Sequence, residues 1–92
     1  MHIRYHKDEE TDLPHIYDHG VTEEEVEQIL WNPGAILPGR KRAKIALGQT
    51  HAGRYLKIVF VPDEDADGVF VVTAYPLAGK DLAAYRRRRR KR

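Results

Sequence analysis

The spacing of apolar positions changes twice along the chain, and each change marks a new kind of element. His2-Ile3-Arg4-Tyr5-His6 alternates and predicts a short strand over 2–6. Pro14 suits the start of a short helix reaching His19, and Gly20 suits the position just past its end. The best-marked element follows. Thr22 and Glu25 have the three-residue spacing of a capping box, and Val21 and Val26 hold the two positions of a hydrophobic staple. Glu23 and Glu24 place negative charge where the helix dipole favours it. Val26, Ile29 and Leu30 then form an apolar stripe at helical spacing, and Asn32-Pro33-Gly34 stops the helix predicted over 22–31.

From residue 35 the period becomes two. Ala35-Ile36-Leu37 reads as a brief strand, Lys44 to Gln49 as a second, and Arg54 to Val61 as a long third after a turn at Thr50–Gly53. Pro62 to Gly68 reads as a solvated hairpin loop, and Val69 to Tyr75 completes the meander. Pro76 and Gly79 break the sheet, and a last helix is expected from Asp81 to about Arg89 with Leu82 and Tyr85 turned inward. The order β-α-α-β-β-β-β-α predicts an α+β fold with the helices on one face of an antiparallel sheet.

Strand alternation places candidate chemistry. Arg54 shares a face with Leu56, Ile58 and Phe60, while Tyr55, Lys57, Val59 and Val61 share the other. At the mouth of an apolar face, Arg54 is either a rim residue with a solvated head or a phosphate ligand. In the last strand Thr73 and Tyr75 are expected on one face with Val69 and Val71. His51 lies in the turn before Arg54, so His51, Arg54, Tyr75 and Lys80 are expected to meet at one end of the sheet.

Length and charge narrow the function. The chain has 92 residues, enough for one domain over 1–85 followed by a basic tail over 86–92. It contains no cysteine, which excludes disulfides and thiolate zinc sites. His15 and His19 stand four apart, a spacing that can hold a metal, but a third ligand would have to come from elsewhere. The acids of 63–67 lack the spacing of a calcium loop. Neither a metal nor a cofactor is expected. No apolar run is long enough for a signal peptide or a membrane span, so a cytoplasmic location without membrane contact is expected.

Charge is segregated. Residues 1–32 carry two bases against nine acids, and residues 33–62 carry six bases and no acid. Every residue from Arg86 to Arg92 is basic. Arg40, Lys41, Arg42 and Lys44 in the middle block, with Arg86, Arg87 and Arg88, are candidate contacts to an RNA backbone. The middle block could instead be neutralised inside the fold. The tail reads as an electrostatic arm on nucleic acid, as the end of the last helix facing an acidic partner, or as incidental. Trp31, Tyr5, Tyr17 and Tyr55 suit a core or a protein contact better than base stacking.

Three segments, in order, resemble one family. Residues 15–31, containing His19-Gly20-Val21-Thr22 and the glutamates after it, look like an "H-G-V-(S/T)-x-E-E" helix segment. Ala46 to Thr50 with Ala52 to Phe60 resembles an "I-G-x-(T/S)-x-x-G-R-x-L-x-V-V-(Y/F)" hairpin. Val71 to Pro76 with Tyr85-Arg86-Arg87 is similar to the closing strand and basic helix. The family is the BrnT-like toxins, of RelE-like fold, from type II toxin–antitoxin pairs. The resemblance implies a metal-independent endoribonuclease whose partners are RNA and an antitoxin, such as a ribbon-helix-helix protein; it leaves homodimerisation open. RNA supplies its own 2′-OH nucleophile, so such an enzyme needs proton transfer and cations around the phosphate. Carried over, Arg54 braces the scissile phosphate, His51 serves as acid or base, and Tyr75 and Lys80 position and stabilise charge. The better-known toxins have an arginine after the alanine of the last strand, where this chain has Tyr75 and Pro76. That departure keeps a second expectation in play, an RNA-binding or protein-interaction domain that cuts nothing.

Overall fold

In a computed structural model, which describes residues 2–63 and 67–90, five strands and three helical segments follow the expected order. They are β1 (His2–Tyr5), a 3₁₀ segment (His15–His19), α1 (Glu23–Trp31), β2 (Ala35–Pro38), β3 (Lys44–Gln49), β4 (Tyr55–Pro62), β5 (Gly68–Pro76) and α2 (Gly79–Arg90). Part of the hairpin loop expected over 62–68 lies outside the described residues, as do the last two residues of the tail. No helix among the described residues is long and apolar enough to cross a membrane.

Local signals act where expected. The Glu25 backbone N–H donates to the Thr22 hydroxyl at 3.2 Å, and the Thr22 N–H donates to Glu25 Oε1 at 3.1 Å, closing the capping box. Val21 and Val26, the staple pair, are both buried. Gly20 ends the 3₁₀ segment at φ 71°, in the left-handed region where a side chain is strained.

The sheet order is β1-β5-β4-β3-β2. Strands β2 to β5 pair antiparallel, but β1 runs parallel to β5, so the sheet is mixed rather than antiparallel. The direction of β1 follows from what it must reach. Tyr5 pairs with Val71, and the 3₁₀ segment lies against the later residues of β5. Only a chain running alongside β5 arrives there.

The helices also sit on both faces, not one. Ala46, Leu56, Ile58 and Ala74 pack with Val26, Ile29 and Leu30 of α1 and with Ile16 of the 3₁₀ segment. The alternate residues, Ile45 and Leu47 of β3 and Tyr55 of β4, pack with Leu82 and Tyr85 of α2. Strand β3 is apolar on both faces, so a second layer is needed.

A bulge changes the face of half of β5. Val59 pairs with Thr73 and Phe60 with Val71, so Val72 is an extra residue between them. Val69, Val71 and Ala74 therefore all face the α1 core, and Thr73 and Tyr75 lie on the α2 side. The expectation that all four of Val69, Val71, Thr73 and Tyr75 share a face is corrected by this one residue.

Tyr5 packs against the α1 core, where burial first, and then the charges of Glu27 and Glu23, push its phenol well above its usual range. The neutral phenol is favoured by folding, so its contribution is complete below the unfolded value of about 10 and is lost as pH rises beyond it. In denaturant melts, stability should fall more steeply above pH about 10 in the wild type than in Tyr5→Phe. Equal alkaline slopes would refute this account of Tyr5.

Candidate nucleic-acid interface

Helix α2 crosses the β2–β4 region with Tyr85 as its anchor, buried among Leu47, Leu77 and Leu82. Gly34 makes the fit possible. A side-chain carbon there would fall inside the Tyr85 hydroxyl, so only glycine leaves room for the ring. Beside this anchor opens a recess of about 430 Å³ lined by Asn32, Gly34, Gln49, Tyr55, Tyr85, Arg86 and Arg89.

Aromatic rings and guanidinium groups interleave in this recess. The Tyr55 and Tyr85 rings meet edge to face, 6.0 Å between centroids at 71°. The Arg86 guanidinium stands 5.7 Å over Tyr55, and Arg89 stands 5.9 Å over Tyr85. No carboxylate is among the described residues lining the recess. On the other flank of α2, Arg88 and Lys57 border a smaller recess of about 160 Å³ with Leu37, Ile45 and Asp81. The helix thus presents cations on both sides of an aromatic anchor. Such a surface can bind phosphates through the guanidiniums, stack a base on the half-buried Tyr55 ring that Tyr85 backs, and meet base edges with the Asn32 and Gln49 carboxamides.

The four residues expected to form a catalytic cluster are not brought together. Arg54 faces α1, where its Nη1 donates to Glu25 Oε1 and Oε2 at 2.8 and 2.9 Å and to the Gly20 carbonyl at 3.0 Å. Its charge is neutralised, and it straps the start of β4 to the junction between the 3₁₀ segment and α1. Tyr75, after the bulge, lies on the opposite face, with Lys57 Nζ 5.5 Å over its ring and the His19 ring 5.8 Å away. His51 is exposed in its turn, its backbone N–H donating to Gln28 Oε1 at 2.8 Å. Lys80 is exposed in the first turn of α2. Strand parity separates Arg54 from Tyr75, and the carboxylate of Glu25 occupies the guanidinium that was expected to hold phosphate.

The candidate RNA contacts divide. Arg86 and Arg88 line the two recesses, and Arg87 is exposed between them on α2. Arg40, Lys41 and Arg42 form an exposed turn between β2 and β3, with Lys41 at φ 55°, and Lys44 is exposed at the start of β3. Trp31 is 64% exposed at the end of α1 and is not a core residue. The residues that sequence reasoning missed are Tyr55, Tyr85, Arg89, Gln49 and Asn32. One signal for them was present: Tyr55 and Gln49 both alternate away from the positions that face α1.

Comparison of the chain with protein-family models, with curated proteins and with solved structures gives no match.

Because Glu25 is largely covered, Arg54→Ala leaves a shielded carboxylate short of a partner. The variant should lose about 1–3 kcal/mol in urea denaturation. An unchanged midpoint would show that the strap carries no stability.

Proposed function

We propose that the protein is an RNA-binding domain of the BrnT-like kind it resembles, and that single-stranded RNA lies along α2 and its flanking recesses. The observation that carries this reading is the Tyr55–Tyr85 pair interleaved with Arg86 and Arg89. The pairing is suited to a single strand, because every base has a face to stack and every step has a phosphate to bind. A duplex would hide those faces.

A second reading goes further: a metal-independent endoribonuclease, the toxin of a type II pair, held inactive by an antitoxin. It is favoured by the three motif segments that carry the resemblance. Against it stands the Arg54–Glu25 pair, which removes the cation expected at the scissile phosphate. Binding without cleavage is therefore the reading the geometry supports best.

Fluorescence anisotropy with a labelled single-stranded RNA tests the binding claim. Replacing Arg86 and Arg89 together by alanine should weaken binding about tenfold or more, and Tyr55→Leu should do the same at constant charge. Arg54→Ala should leave the affinity unchanged, since its guanidinium already serves Glu25. Equal affinity in all variants would remove the α2 site. Incubating RNA with the protein in chelator separates the two readings: fragments ending in a cyclic phosphate establish the ribonuclease, and intact RNA leaves a binding domain.

A further inference from the structure

Away from α2, the chain after β1 folds back so that three donor groups converge. Lys7 and Pro14 form an isolated bridge, and the Asp8 N–H donates to the Leu13 carbonyl at 3.0 Å, which sets Asp8 beside the 3₁₀ segment. In a 3₁₀ helix, residues three apart eclipse. Asp18, not His19, therefore lies over His15. The result is His15 Nδ1 at 2.8 Å from Asp8 Oδ1 and 3.5 Å from Asp18 Oδ2. One ligand atom from each of the three lies within 4.8 Å of the others.

We propose that Asp8, His15 and Asp18 bind a divalent first-row cation of the Zn²⁺ type. Donors around a tetrahedral ion with bonds of about 2.1 Å stand about 3.4 Å apart, so the His15–Asp18 pair already has the required separation and Asp8 needs only a small move. The third ligand that the His15–His19 spacing lacked is supplied by these carboxylates. One nitrogen and two carboxylate oxygens suit Zn²⁺ better than calcium, which takes six or more oxygens. The His19 ring packs beside that of His15, 5.1 Å between centroids, but is not one of the converging donors, and a water can take the fourth position.

The simpler account is a histidine hydrogen-bonded to Asp8, with Asp18 close to the same nitrogen, that anchors the loop. It leaves the Asp8 and Asp18 carboxyl groups crowded around a single imidazole nitrogen. Glu9 and Glu10, which border the same open recess with Asp8 and Asp18, add to the negative field. A divalent cation held by the three groups would offset that field.

Metal-stripped protein titrated with Zn²⁺ against a chromophoric chelator should take up a single ion, and the melting temperature should rise with added Zn²⁺. Cobalt substitution should give the visible absorption of a four-coordinate site. Asp18→Asn, at an exposed position that carries little of the core, should weaken uptake about tenfold or more, as should His15→Gln, while His51→Gln should change nothing. No uptake below about 1 mM Zn²⁺ overturns the site, as does uptake that survives Asp18→Asn unchanged. RNA binding measured in chelator is independent of this outcome.

Discussion

Strand β3 is apolar on both of its faces, β4 nearly so but for Lys57, and a sheet of that kind in water needs a layer on each side. On one side α1 and the 3₁₀ segment close over Ala46, Leu56 and Ile58, making the larger core. On the other, Ile45, Leu47 and Tyr55 remain, and α2 is the element that shields them. A helix with five adjacent arginines would not ordinarily be drawn to a sheet, but Leu82 and Tyr85 hold it there. Its charged flank is thereby set beside Tyr55 and Gly34. The candidate interface exists because the second face of the sheet needed cover.

The same logic gives Arg54 its role. It emerges on the face that α1 covers, next to a glutamate whose own hydroxyl and amide partners belong to the capping box. The guanidinium completes that arrangement and joins three segments: the end of the 3₁₀ stretch through Gly20, the first turn of α1, and the start of β4. An arginine with such partners is a strut. Arg86 to Arg89 of α2 are oriented outward, and Asp81 is the acid of that helix's first turn.

What was legible in the sequence was local. The capping box, the staple, the glycine after the 3₁₀ segment and every strand of the meander are written in residues a few positions apart, and they fold as read. What was not legible depends on distant pairing. The parallel course of β1 is decided by Val71, and the partner of Arg54 stands 29 positions earlier in the chain. The bulge at Val72 turns Thr73 and Tyr75 to the other face, yet nothing in Val71-Val72-Thr73 distinguishes a bulged strand from a regular one. Ile45-Ala46-Leu47-Gly48 did carry the information that both faces are buried, since neither parity contains a polar residue. Reading it as an ordinary meander strand hid the second helical layer and, with it, the recess at Tyr85.

One consequence concerns the helical state of the arginine run. Because α2 continues through it, side chains three and four apart, such as Arg86 and Arg89, are stacked on one flank and repel one another by some tenths of a kcal/mol per pair. The helix dipole offsets part of this at the C-terminal end. The last turns are therefore a loaded spring, held in by Tyr85 and eased by mobile counterions. A multivalent anion laid across them would relax that load at several points together.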